Sequence, residues 1–280
     1  MKTDIYTVEQ IAPDTWRIDE CGRDNCYLLC GSERALLIDC SIGTGDLASL
    51  VRSLTNLPLT VAVTHAHGDH AGGGHQFGEI LVPAAETGRL WRGQNLRVFR
   101  RKLLSNRMKK QGIRKRNVRG DIRETIWTPF EEGATFDLGG RTVRTVPVPA
   151  HTVGSTVFFD DENKLAFLGD SVCPVLPMHT FCALPLAAFP PIGDRLYEMT
   201  AGYTLWCGHG DGRLDRDLIC RQTAWVREIL EKNPANAERQ TAAYYPAFDK
   251  TGCVGYNPGN LYETEEPFDW RREARRFLRG

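Results

Sequence analysis

A chain of 280 residues, 25% charged and 41% hydrophobic, has the composition of an ordinary soluble protein and is long enough to bury one substantial core. It opens Met1-Lys2-Thr3-Asp4-Ile5 with no apolar signal segment, and no stretch approaches transmembrane length, so the expectation is a cytoplasmic protein without a membrane partner. Nine cysteines, odd in number and without paired spacing, suit a reducing compartment and argue against a disulfide framework; the formal net charge is zero.

The first third reads as strands with one helix. Strand-like runs fall near 5–11, 15–20, 25–30, 35–40, 59–64 and 79–83. After the Gly43-Thr44-Gly45 turn, residues 46–54 predict a helix with Leu47, Leu50, Val51 and Leu54 on one face. Cys21, Cys26 and Cys30 lie close together, but their spacing matches no common zinc pattern and they read as core thiols.

At the end of the fifth run stands Thr64-His65-Ala66-His67-Gly68-Asp69-His70. Three imidazoles and a carboxylate make a donor set suited to zinc or a similar first-row metal. In extended backbone, residues i and i+2 point the same way, so His65 and His67 can grip one ion. Gly68 permits a sharp turn, after which Asp69 and His70 can face a second ion. The plain alternative is a polar loop that happens to contain histidines. His75 reads as a surface or loop residue.

Residues 89–120 hold thirteen lysines and arginines and no acid, leaving 22 basic against 35 acidic side chains elsewhere. The run reads as helical and basic. It is either a solvated face, paired with Glu131-Glu132 or another subunit, or a surface for an anionic small substrate or nucleic acid. Only Trp91 and Phe99 interleave it as stacking aromatics, and the rest of the chain is acidic, which weighs against a nuclease.

Further strands are expected near 134–138, 141–148, 155–160, 164–169 and 203–208, with turns at Gly139-Gly140 and Asp160-Asp161-Glu162-Asn163. Three more candidate donors close such runs: His151 after 142–149, Asp170 after 165–169, and His209 after 203–208. Cys173 is either a small buried hydrophobe or a pocket residue, and His179 is a candidate substrate contact. Residues 216–232 have helical character, 241–245 and 252–256 could be short strands, and 270–278 a last basic helix.

The order H-x-H-x-D-H, then the His of "PAHTVGS", the Asp of "FLGDS" and the His of "CGHG", resembles the metallo-β-lactamase superfamily over roughly residues 1–210. Asp39, closing an earlier strand-like run, matches that family's first motif as a supporting residue. The resemblance implies an α/β fold, a four-layer αββα sandwich. It implies a single domain over 1–280, with a basic helical insertion about 86–123 and a C-terminal extension about 215–280. It also implies that His65, His67 and His151 hold one metal and Asp69, His70 and His209 a second, with Asp170 bridging both.

On that basis the expected cofactor is a pair of zinc ions, with iron or manganese as alternatives. The expected chemistry is attack by a bridging hydroxide on a small ester, thioester or lactone-like carbonyl, with Asp69 orienting it. Asp170 stands where some β-lactamases of the family carry Cys, and His67 where flavodiiron proteins carry Glu. The alternatives within the same resemblance are a phosphodiesterase or ribonuclease and an iron-dependent thiol or persulfide oxidoreductase. The helical glutathione-binding tail of glyoxalase II has no convincing counterpart here. The oligomeric state is not legible.

Overall fold

Alternation along the strands sets the architecture. The computed structural model describes residues 5–88, 93–180, 182–233 and 252–262. The first sheet takes seven strands in chain order: β1 (Tyr6–Ala12), β2 (Thr15–Glu20), β3 (Asp24–Cys30), β4 (Ala35–Ile38), β5 (Leu59–Ala62), β6 (Glu79–Pro83) and β7 (Ile126–Phe130). Strands β1 to β4 pair antiparallel, and β4 to β7 run parallel. The second sheet contains β8 (Thr135–Asp137), β9 (Thr142–Pro147), β10 (Thr156–Asp160), β11 (Leu165–Phe167), β13 (Thr204–Trp206) and β14 (Arg213–Leu214), in the order β14-β13-β11-β10-β9-β8. A separate parallel pair joins β12 (Val175–Met178) to β15 (Cys253–Tyr256).

Three apolar layers follow from this period of two. Tyr27, Leu29, Leu36 and Ile38 of the first sheet meet Val143, Phe158, Phe167 and Trp206 of the second. Their neighbours Cys26, Leu28 and Leu37 point the other way, onto Leu47, Leu50 and Val51 of α1 (Leu47–Leu54). On the far side, Val157, Phe159 and Leu205 pack on α4 (Phe189–Met199) and α5 (Asp217–Lys232) through Leu196, Leu218 and Val226. Every residue of β3 is buried, as expected of a strand covered on both faces. Burial of each large aliphatic or aromatic side chain here contributes about 1.5–3 kcal/mol. Among the described residues, no helix is long and apolar enough to cross a membrane.

Arg141, in the hairpin between β8 and β9, staples the two sheets. Its guanidinium donates to Asp160 through Nε at 3.0 Å and to the carbonyls of Cys30 at 3.0 Å and Asp14 at 3.1 Å. Asp160 is fully buried, so the pair is satisfied inside the fold rather than at its surface.

Two strands end sooner than the sequence pattern suggests. The strand expected over 35–40 stops at Ile38 because Asp39 takes a left-handed φ of 63°, and the one expected over 59–64 stops at Ala62. Both positions are handed over to the site. Strands β7 and β12 carry Pro129 and Pro177, and α4 carries prolines in its first turn, which hid all three from periodicity.

The basic segment departs from its expected helical form. Its described part holds two helical residues at 93–94, α2 (Arg97–Arg100) and α3 (Asn106–Lys110), with turns between them and a short 3-10 segment at Lys115–Asn117. Gly112 and Gly120 adopt positive φ, which ends helical propagation. The elements expected over 241–245 and 270–278 lie outside the described residues, whereas Cys253–Tyr256 is a strand.

Candidate metal centre

Strands β4 and β5 are parallel, and β9, β11 and β13 run in one common direction within the second sheet. Asp39 follows β4, the His65–His70 loop follows β5, and His151, Asp170 and His209 follow β9, β11 and β13. The loops at the carboxyl ends of these strands therefore meet at one edge of the sandwich, where ligand sites of α/β sheets form.

The seven candidate donors converge there. His151 Nε2 lies 3.1 Å from His65 Nε2 and 2.9 Å from His67 Nδ1. Asp170 Oδ1 lies 3.3 Å from His70 Nε2, and its Oδ2 lies 3.1 Å from His209 Nε2 and 3.5 Å from His151 Nε2. Asp69, His70 and His209 form a third group whose donor atoms lie within 4.8 Å of one another. Five of the seven are buried; Asp69 and His209, with side chains 15% and 28% exposed, mark the open side.

The opposite ring nitrogens fix the inward ones. His151 Nδ1 donates to the Pro177 carbonyl at 2.8 Å, His209 Nδ1 to the Arg23 carbonyl at 2.9 Å, and His70 Nδ1 to Asp39 Oδ2 at 2.9 Å. Thr64 Oγ1 donates to Asp39 and lies 3.0 Å from His65 Nδ1, so it can accept from that ring. Outer partners of this kind hold imidazole ligands in one tautomer and orientation.

Charge divides the site into two halves. Burial and the neighbouring imidazoles keep His65 and His151 neutral, and the same causes push His67 down to about 3. Burial also opposes charge on His70 and His209, but Asp170, with Asp39 beside one and Asp24 beside the other, outweighs it and raises both. Asp69 is held below the usual carboxylate range against the cost of burial by His70 and Arg23, whose Nη2 donates to Asp69 Oδ2 at 3.0 Å.

The residues fit a cation. Three nitrogens that cannot hydrogen-bond to one another when all are neutral acceptors face a common point. The buried His70 Nε2 has no well-formed hydrogen bond of its own. Metal–nitrogen bonds of about 2.0–2.1 Å in tetrahedral geometry need nitrogens roughly this far apart. The preference is for a first-row ion, given imidazole and carboxylate donors.

Three supports escaped the sequence reading. Glu86, fully buried, accepts from Ala66 N at 3.0 Å and Gly154 N at 2.9 Å, tying the loop of His65 and His67 to that of His151. Asn95 donates to the Ala66 carbonyl. Arg100, also fully buried, donates to the carbonyls of Asn95 (3.1 Å), Ile42 and Gly72 (2.7 Å each), Arg119 (2.8 Å) and Gly120 (2.6 Å). A strongly basic run gives no signal that one of its arginines is interior.

The centre opens into a cavity of about 680 Å3. Phe99 and Leu103 of the basic segment line it, as do Pro174, Val175 and Pro177. Cys173 and His179 both line it; Cys173 is buried, with Sγ 3.5 Å from Asp170 Oδ1. Cys21, Cys26 and Cys30 are buried, and His75 is half-buried on a 3-10 turn.

Known proteins resemble this chain in sequence and fold. The family model for the metallo-beta-lactamase superfamily matches residues 20–196. The chain is 33% identical over 171 residues to an acyl-coenzyme A thioesterase, MBLAC2, of Gallus gallus, covering 56% of this chain and 60% of that protein. It is 33% identical over 180 residues to an atrochrysone carboxyl ACP thioesterase of Cryptosporiopsis sp., covering 60% and 46%. A hydroxyacylglutathione hydrolase of Hyphomonas neptunium is 29% identical over 163 residues, covering 54% and 49%. The matched region thus spans about half to three fifths of these relatives' lengths.

Among solved structures, a metallo-beta-lactamase family protein of Thermus thermophilus superposes with a TM-score of 0.60 at 21% identity, covering 80% of this chain and 82% of that one. A metallo-beta-lactamase from Pontibacter korlensis gives 0.59 at 19% identity, covering 79% and 99%. Sheet order, helix layers and family match agree: the chain belongs to the metallo-β-lactamase superfamily and has its four-layer αββα sandwich fold.

Proposed function

We propose that this chain is a metal-dependent hydrolase that cleaves a small-molecule thioester. The observation that carries the reading is the convergence of His65, His67 and His151 at N···N separations of 2.9 and 3.1 Å beside the Asp170 carboxylate, at the floor of a cavity. His65, His67 and His151 would hold one zinc ion and Asp69, His70 and His209 a second, with Asp170 between them. Iron or manganese are the alternatives for this donor set. When bound, such ions supply Lewis acidity and lower the pKa of water.

The chain's own groups do the rest. Asp69 borders the cavity and is kept ionised by His70 and Arg23, so it can accept a hydrogen bond from the attacking water and orient it toward the carbonyl carbon. Attack on the thioester breaks the carbon–sulfur bond and releases a carboxylate and a thiol. No covalent enzyme intermediate is required. Burial, with Cys207 and Asp170 alongside, raises the Cys173 thiol well above its ordinary value, so it stays protonated and is a poor nucleophile. Names of three relatives, two thioesterases and a hydroxyacylglutathione hydrolase, favour a thioester over a lactone or phosphodiester.

The test is elemental analysis of purified protein, followed by assays with octanoyl-coenzyme A, a lactone and a bis-aryl phosphodiester before and after chelation. Thioester turnover that a chelator removes and zinc restores is the expected result. Asp170→Ala is expected to lose turnover and the second equivalent of metal. Turnover of the phosphodiester alone, or near-full activity of Asp170→Ala, would overturn the reading.

A further inference from the structure

The basic segment is joined to the centre more tightly than a solvated face requires. Arg100 ties α2 to the carbonyls of Ile42 and Gly72, and Asn95 ties it to Ala66, between the two candidate ligands His65 and His67. Phe99, in α2, and Leu103, in the turn that follows it, both line the cavity. Leu103 Cδ1 lies 3.1 Å from where a side chain on Gly68 would begin, inside the metal loop itself. The wall is thus fixed relative to the centre.

The cavity's other apolar wall comes from Pro174, Val175 and Pro177, in the stretch following Asp170. Val175 is 43% exposed, a large hydrophobe left open to the cavity. Two apolar stretches lining one cavity beside the centre can bury a hydrocarbon group attached to the reacting carbonyl. The segment that supplies one wall also carries thirteen of the chain's 35 basic residues and no acid. Arg97, Lys109, Lys110, Arg114, Lys115 and Arg116 are all exposed. Exposed charge of that sign attracts a polyanion to the segment that carries Phe99 and Leu103, over a distance set by the ionic strength.

We propose that this segment selects the substrate: Phe99 and Leu103 grip an apolar acyl group against Pro174, Val175 and Pro177, while the segment's exposed cations attract a polyanionic thiol carrier. The substrate class is then an acyl thioester of a phosphate-bearing carrier, rather than of a neutral or singly charged thiol. The inference rests on the thioester reading above, but binding tests it separately from turnover.

The probes are non-hydrolysable thioethers: S-octyl- and S-ethyl-coenzyme A, and S-octyl-N-acetylcysteamine, which lacks the phosphates. Binding to the metal-loaded protein is measured by calorimetry. The octyl compound is expected to bind at least about tenfold more tightly than the ethyl one. Phe99→Ala is expected to cut that preference about tenfold. Val175→Trp, on a partly exposed side chain of the same cavity, adds bulk to the slot and is expected to do the same without touching the core.

Preference for the coenzyme A compound over its N-acetylcysteamine counterpart is expected to fall about tenfold in a Lys109→Glu, Lys110→Glu, Lys115→Glu variant, and to fall with added salt. Equal binding of octyl and ethyl compounds, or a preference untouched by both wall variants, would overturn the acyl slot. A carrier preference insensitive to salt and charge reversal would overturn the electrostatic half. The predicted binding pattern in a protein that turns over no thioester would uphold the slot and sink the reaction assignment instead.

Discussion

Asp39 Oδ2 lies 2.9 Å from His70 Nδ1, and the same carboxylate accepts from Thr64 N at 2.7 Å. One buried side chain thereby orients a ring of the centre and anchors the start of its loop. Its own backbone is held at φ 63°, an uncommon conformation for a non-glycine residue that the surrounding contacts enforce. Asp39→Asn keeps the size but weakens acceptance from His70. It is expected to reduce affinity for the second metal about 10–100-fold while leaving the first nearly intact. Competition titration with a chromogenic chelator would read both sites; equal weakening of the two would contradict it.

Gly208 admits no side chain. A Cβ there would sit 2.5 Å from His70 Cε1 and 2.8 Å from Asp170 Oδ1. Gly208→Ala is expected to push these two groups apart, lowering bound metal from two equivalents toward one with a far-ultraviolet spectrum unchanged. Full occupancy in that variant would show that the loop yields more easily than its packing implies.

Arg100 is a structural arginine in a segment whose charge suggests a surface. Arg100→Ala would remove a donor from each of its five carbonyl partners, at an expected cost of about 3–5 kcal/mol. Thermal unfolding checks the magnitude, and Arg119→Ala serves as an exposed control expected within about 0.5 kcal/mol of the parent. A similar small effect for both would place Arg100 at the surface after all.

Glu20 gives a pH signature away from the ligands. It is buried and accepts from the backbone N–H groups of Ile42 at 3.1 Å, Gly43 at 3.3 Å and Thr44 at 2.7 Å. Burial, with Asp24 nearby, nevertheless pushes its carboxyl up to about 7. The folded state then holds a proton that the unfolded chain has already released above the ordinary carboxylate range. Its contribution to stability is complete at lower pH and declines as pH rises toward about 7, by about 1 kcal/mol per unit at most. Denaturant titrations of metal-free protein from pH 5 to 8, with carboxyl carbon NMR, would test this; a Glu20 midpoint near 4 would refute it.

Much of the site was legible because each candidate donor closes a hydrophobic run. His65, His67, His151, Asp170 and His209 all follow strands, and the chain places them at one edge. The supports were not legible. Glu86 ends an apolar stretch and looks like any solvent-facing acid, yet it is fully buried between two loops, one of them 68 residues further along the chain. Arg23 lies in a turn between β2 and β3, and nothing nearby in sequence announces Asp69 as its partner.

What the sequence determined by itself was local: the period-two strands, the helix of residues 47–54, the hairpin at Gly139-Gly140, and a set of donors whose types suit a first-row metal. These depend on each residue's neighbours a few positions away. The tertiary structure alone decided which donors meet, that Arg100 is interior, and that Phe99 and Leu103 share one cavity with Pro174 and Val175. Those relationships join segments far apart in the chain. They arise when two sheets bury a common apolar layer and bring their strand ends to one edge, a condition that short-range pattern does not encode.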